Sequence, residues 1–294
     1  MPLEVDRVVF ATDSVTIGAF RCPPDHPSFR DSGPIKDDCF VFPRTAVEIR
    51  HSGARPFVAD PTLVTLYNRR QQYERRPVSG DGDRCDWYAV SADILRGALL
   101  HRDPAAADYD RPIRFTHAVA DSSTYFAQRR LFVEVSNGAG TDGLGPMRIE
   151  ERVVSLLDRV LTQAYAGARP TTSVSGRPLP HALDLAEAAK WWIAPRVDQH
   201  LTLARIARAL DCSVFHLCRS FRRATGMTLH GYREQVRLRM ALERLEGGER
   251  DLTRLALDLG YSSHSHFTSG FSRSFGATPS TARRTLADAV RASF

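Results

Sequence analysis

Residues 203–221, LARIARALDCSVFHLCRSF, and residues 252–275, LTRLALDLGYSSHSHFTSGFSRSF, carry one pattern twice, about fifty positions apart. In the first, Leu203, Ile206, Ala207 and Leu210 recur at helical spacing. The chain then breaks at Asp211-Cys212-Ser213, and a second apolar comb follows at Phe215, Leu217, Cys218 and Phe221. The second copy has Leu252, Leu255, Ala256 and Leu259, the break Gly260-Tyr261-Ser262, then Phe267, Phe271 and Phe275. In both, a small alanine stands four residues before the turn residue, which lets two helices cross closely at a sharp angle. The turn calls for left-handed backbone, which Gly260 adopts freely and Asp211 tolerates. Each copy predicts a helix-turn-helix.

Capping residues give the same segmentation. Thr202, Ser213, Asp251 and Ser262 stand where an N-cap is needed, Gly226 follows a helix end, and Thr278-Pro279 opens one more helix. Between the copies, residues 228–246 read as one helix with two apolar edges, Tyr232/Val236/Met240 and Leu238/Ala241/Leu245. A helix apolar on two sides is packed on two sides. Its length, roughly 27 Å, suits a spacer holding two recognition helices about one DNA turn (~34 Å) apart.

The run ALDCSVFHLCRSFRRATGMTLHGYREQVRLRMALERLEGG, followed by DLTRLALDLGYSSHSHFTSGFSRSFGATPS, resembles the DNA-binding domain of AraC/XylS-type transcriptional regulators. The diagnostic residues are Gly260-Tyr261-Ser262, His266-Phe267, Phe271, Phe275-Gly276 and Pro279. One departure is Arg205, where the family often has an acid that completes a capping box with Thr202; its absence weakens that cap by ~1 kcal/mol. The resemblance implies promoter DNA and RNA polymerase as partners. It also implies, by position in the motif, that Phe215, His216, Cys218 and Arg219 of the first recognition helix, and Ser263, His264, Ser265 and Ser269 of the second, face base edges. Arg219 is the strongest of these, because a guanidinium bonds guanine O6 and N7 bidentately. Arg222, Arg223 and Arg273 lie further along and suit phosphate contacts that position without specifying.

The charge distribution agrees. The formal net charge is +6; from His200 onward there are 15 arginines and 8 acidic residues, and before it 25 basic and 26 acidic residues. The basic excess, the footprint of a polyanion partner, sits entirely in the C-terminal third. Five dispersed cysteines, Cys22, Cys39, Cys85, Cys212 and Cys218, form no CxxC pair and read as reduced thiols. No apolar run reaches the ~18 residues of a membrane span, and MPLEVDRVVF lacks the regions of a signal peptide, so a cytoplasmic protein is expected.

Toward the N-terminus, short β-branched and aromatic runs cut by Gly, Pro and Asp predict strands at 8–10, 15–20, 40–42, 47–50, 57–59, 63–67 and 87–90. Such spacing points to a barrel or jelly roll, and in AraC-type regulators a cupin-like barrel that binds an effector often holds this place. A small-molecule pocket is expected, with His51, Phe57, Tyr67, Tyr73, Trp87 and Tyr88 as candidate lining. Residues 80–87, GDGDRCDW, read as a solvated charged turn running into a strand. From Ser91 the period becomes helical, with helices at 93–101, 122–136 and 147–166. In the last, Ile149, Val153, Leu156 and Val160 lie on one stripe, which is either a homodimer seam or packing on the chain's own sheet. Residues 168–181 read as a linker, and a helix from Ala182 to about Val197, with Leu183, Ala186, Trp191 and Ile193 for packing, leads into the helix-turn-helix pair.

The expected fold is therefore α+β. A cupin-like barrel with a helical dimerisation segment (1–167) is joined by a linker (168–181) to an all-α double helix-turn-helix domain (182–294). The expected function is an effector-responsive transcriptional regulator, not an enzyme, without cofactor. Two alternatives remain. Cys22, His26, Cys39, His51 and Cys85 offer thiolate and imidazole ligands for a soft metal if strands bring them together. A DNA-alkylation repair sensor joins the same helical unit to a four-cysteine zinc domain, but here the N-terminal cysteines number three and Pro-Cys-His-Arg is absent.

Overall fold

A computed structural model describes residues 5–31, 33–107, 109–138, 145–168 and 180–291. The chain divides into two compact units, residues 1–168 with 284–294 and residues 169–283. Most of the expected linker lies outside the described residues. Among these, no helix is long and apolar enough to cross a membrane.

In the first unit the strands are β1 (Asp6–Ala11), β2 (Val15–Cys22), β3 (Cys39–Pro43), β4 (Val47–His51), β5 (Phe57–Ala59), β6 (Leu63–Tyr67), β7 (Tyr73–Pro77), β8 (Asp83–Val90) and, after the helices α1 (Ala92–Leu100) and α2 (Pro104–Ala107), β9 (His117–Val119). They form two antiparallel sheets, ordered β1-β2-β8-β3-β6-β9 and β5-β4-β7. The turn-rich antiparallel architecture is as expected. The ring, however, is not closed, because β4, β5 and β7 pair only among themselves and leave β1 and β9 as edges of the larger sheet.

Parity along β8 divides the larger sheet into two environments. Trp87, Cys85 and Ala89 face the smaller sheet, while Asp86 and Tyr88 face α3 (Ser122–Ser136). On that second face Tyr88 stacks on Phe40 with ring centroids 5.2 Å apart, and its hydroxyl donates to the Gln128 carbonyl at 3.3 Å. Asp86 accepts from Arg129 and, at 2.8 Å, from Gln128 Nε2. Both Asp86 and Arg129 are buried, so the pair is held by mutual neutralisation and hydrogen bonding in place of water. Asp83 is buried as well, 2.6 Å from Arg75. The reading of residues 80–87 as a solvated turn is thus corrected: its last carboxylates are already in β8 and are partnered from β7 and α3.

Helix α4 (Gly145–Ala168) packs against α3, α1 and β9. Ile149, Val153, Leu156 and Val160 are no more than 3 % exposed within this one chain. They form core, and the alternative of a dimer seam on this stripe is corrected, since no apolar surface of theirs is left for a second subunit.

The second unit begins with α5 (Pro180–Ile193), which a 3-10 turn at Ala194–Arg196 ends where Pro195 removes a backbone donor. Then come α6 (Leu203–Ala209), α7 (Val214–Thr225), α8 (Leu229–Glu246), α9 (Leu252–Asp258), α10 (His264–Phe275) and α11 (Pro279–Arg291), of which residues 279–283 belong to this unit. Helix α5 is part of the first helix-turn-helix core: Leu185, Ala186, Ala189 and Ile193 pack with Ile206, Ala207, Leu217, Phe221, Tyr232 and Val236. Trp191, expected there, is 44 % exposed, and its neighbour Trp192 packs against the core instead. Both apolar edges of α8 are occupied; Leu238, Ala241 and Leu245 are buried opposite the Tyr232/Val236 edge.

Candidate nucleic-acid interface and ligand cavity

The two helix-turn-helix units repeat the same local construction. The N–H groups of Cys212 and Tyr261, one residue past each turn, donate at 3.0 Å to the carbonyls of Ala207 and Ala256. Asp211 has φ 49° and Gly260 φ 75°, the left-handed geometry both turns require. Thr202, Ser213 and Asp251 cap α6, α7 and α9 through their side-chain oxygens. For α10 the cap is Ser263, whose hydroxyl accepts from His266 N at 3.2 Å, one position beyond the expected Ser262. The hydroxyl of Ser262 lies instead 3.4 Å from His266 Nδ1.

The two units are tied together at the second turn. Nε of Arg233 and Nε of Arg237, on α8, donate to the Val197 carbonyl at 2.9 and 2.8 Å, and Arg237 Nη2 donates to the Asp198 carbonyl at 3.3 Å. The Arg237 guanidinium also lies 5.6 Å from the centre of the Tyr261 ring. One spacer helix therefore grips the end of the α5 segment and the turn before α10 at once, fixing α7 and α10 relative to each other.

On α7, Phe215, His216, Arg219, Arg222 and Arg223 are exposed, Phe215 by 74 %. Phe215 therefore does not belong to the apolar comb of its helix, which Leu217 and Phe221 carry into the core. Cys218 is half-buried and packs against that core. On α10, His264, Ser265, Ser269 and Arg273 are exposed, whereas Ser263 is also exposed but spends its hydroxyl on the cap. One neighbour of the interface was not legible: His181, at the start of α5, stacks on His216 with ring centroids 5.6 Å apart and planes at 23°. The two lie thirty-five positions apart in the chain, and no local spacing signals the contact.

In the first unit a cavity of about 650 Å³ lies between the two sheets. Of the expected lining residues, Tyr67, Tyr73 and Trp87 face it; His51, Phe57 and Tyr88 do not. His51 lies behind Tyr67, 4.7 Å between ring centroids, and Phe57 packs on His117. Both His51 ring nitrogens are buried without a hydrogen-bond partner among the described residues, and burial pushes its pKa down to about 4. Cys39 and Cys85 line the cavity, with burial raising both thiol pKa values, while Cys22 packs with Phe29 and Val47 and His26 Nδ1 accepts from Ser28 N at 3.2 Å. Among the described residues no three His, Cys, Asp or Glu side chains converge on a metal-sized site.

A family model described as a helix-turn-helix domain matches residues 206–285. Over 95 residues, 32 % of this chain, the sequence is 39 % identical to regulatory protein SoxS of Escherichia coli (strain K12), 89 % of which is covered. It is 31 % identical over 93 residues to the transcriptional regulator Rob of Salmonella typhimurium, covering 32 % of each protein. Among solved structures, ToxT from Vibrio cholerae O395 aligns over 94 % of this chain and 99 % of its own, at 12 % identity and a TM-score of 0.37. A transcriptional regulator with an AraC-type DNA-binding domain from Chromobacterium violaceum aligns over 37 % of this chain and 97 % of its own, at 24 % identity and a TM-score of 0.35.

Proposed function

Because the chain belongs to the AraC/XylS family of transcriptional regulators, we propose that it reads promoter DNA with α7 and α10 together and answers to a small molecule held between its N-terminal sheets. The observation that carries the DNA reading is the pairing of two identically built turns by α8, each followed by a helix whose outer face is exposed and, on α7, arginine-rich. Residues 182–294 then act as the DNA-binding domain and residues 1–167 as the effector and dimerisation domain. RNA polymerase is the partner at the promoter, and a homodimer forms through a surface other than the buried stripe of α4. In this reading Arg219, Phe215 and His216 meet base edges, with Cys218 grazing them from its half-buried place. His264, Ser265 and Ser269 supply a short-chained second surface that depends more on groove shape, and Ser263 holds its helix. Arg222, Arg223 and Arg273 meet phosphates.

The test is a pair of substitutions against a selected operator. Arg219→Ala is expected to cost ~1–3 kcal/mol on the preferred site and to relax selection at one base position. Arg223→Ala is expected to weaken all sequences alike and flatten the salt dependence. Binding isotherms on randomised sites that move in the same way for both variants overturn this division of roles, and a wild-type protein with no sequence preference overturns the function. The effector part is supported by the size and aromatic lining of the cavity, which lie within the range of small-molecule sites.

A further inference from the structure

The walls of the cavity are apolar and aromatic, but its charged lining is one-sided. Asp6, Asp31, Asp37 and Asp83 contribute carboxylates, and Lys36 is the only cation among the lining residues. Arg75, behind Asp83, is committed: its guanidinium bonds Asp83 at 2.6 Å, the Phe29 carbonyl at 3.0 Å and the Ser28 carbonyl at 2.9 Å, and it lies over the Phe20 ring rather than lining the cavity. With Arg75 counted, two negative charges remain in excess. Asp37 makes no ion pair among the described residues.

The aromatic surface is placed beside these carboxylates. Trp87 Nε1 donates to Asp6 Oδ1 at 2.8 Å. The indole is laid flat because its cross-strand partner is Gly18, where an added Cβ would come within 2.2 Å of the ring. Tyr67 and Tyr73 add two further rings, with centroids 5.1 Å apart. Aromatic faces attract cations through their quadrupole, and carboxylates at the mouth of a low-dielectric cleft concentrate positive charge there. A ligand carboxylate would lose its hydration in the same place and meet four aspartates, with Lys36 as the one lining cation to set against them.

We propose that the molecule held in this cavity is an organic cation, a protonated amine or quaternary ammonium on an aromatic or branched apolar body. The inference rests on the reading of this cavity as the effector site. The test is calorimetric titration of the full chain with three molecules of one shape: phenethylamine, propylbenzene and 3-phenylpropionate. Phenethylamine is expected to bind about tenfold or more tighter than propylbenzene, and 3-phenylpropionate more weakly than either. Asp6→Asn combined with Asp37→Asn is expected to erase most of the cation's advantage, since asparagine still accepts the Trp87 bond but carries no charge. Equal affinities, a preference for the carboxylate, or an advantage unchanged in the double variant overturns the cation assignment and leaves the cavity as an effector site. Failure of all three to bind at millimolar concentration overturns both the cation assignment and the effector reading, while DNA binding stands on its own test.

Discussion

Gly260 joins local conformation to the spacing of α7 and α10, the two helices proposed to read DNA. Its φ of 75° lies where side chains are strained, and a Cβ there would come within 2.3 Å of both Arg237 Nη2 and the Asp198 carbonyl oxygen. Gly260→Ala is therefore expected to lose at least ~2 kcal/mol in denaturant unfolding of the C-terminal unit. It is also expected to weaken operator binding more than Arg223→Ala does, because Arg237 must leave its carbonyls; unchanged stability refutes the wedge. His51 makes the other prediction at a single side chain. Its usual value near 6.5 falls to about 4 in the folded chain because burial disfavours the imidazolium. The unfolded state thus binds the extra proton first: stability is flat above about pH 6.5 and falls as pH drops toward 4, by on the order of 3 kcal/mol. Urea titrations at several pH values should show this slope in the wild type and lose it in His51→Phe; an equal slope in both places the acid sensitivity elsewhere.

Helix α4 tests the difference between an apolar stripe and an interface. Leu156 and Val160 are buried against the chain's own elements, so replacing both with Glu is expected to collapse the N-terminal unit, with loss of ellipticity and aggregation on sedimentation. A folded monomer would restore the dimer seam. Periodicity alone left this choice open, because a buried stripe looks the same whichever surface covers it. The sequence was most legible where a periodic apolar face coincides with a cap and a turn residue, as in α6 through α10. There the capping slip, Ser262 for Ser263, comes from two adjacent serines that are equally able to cap, and Phe215, read into the apolar comb of α7, is exposed. It was least legible where burial depends on a distant partner. Strand β7, YERRP, buries only Arg75, whose counter-charge Asp83 sits on β8, so nothing local marks it as a strand. The cavity lining was half legible for a related reason. Strand β8 is covered on both faces, and parity alone sends Trp87 to the cavity and Tyr88 under α3.

Across the whole chain, the basic excess is confined to the residues from His200 onward. The match to SoxS spans 95 residues, 32 % of this chain and 89 % of that protein, so a regulatory protein exists that is little longer than the stretch the two share. The fold of the second unit likewise closes its own core around α5, which starts at Pro180. A fragment of residues 180–294 is accordingly expected to fold and to keep the operator preference of the full chain, with affinity lower by about 100-fold where the full chain binds as a dimer. Its salt dependence is the more searching measurement. Residues before His200 carry 25 basic and 26 acidic side chains, whereas those from His200 onward carry 15 arginines against 8 acids. Counterion release is set by the cations that meet phosphate, so the slope of log K against log salt, per bound protomer, should be the same for fragment and full chain. A shallower slope for the fragment would mean that the N-terminal unit touches the DNA backbone directly, and its contribution would then be contact rather than association.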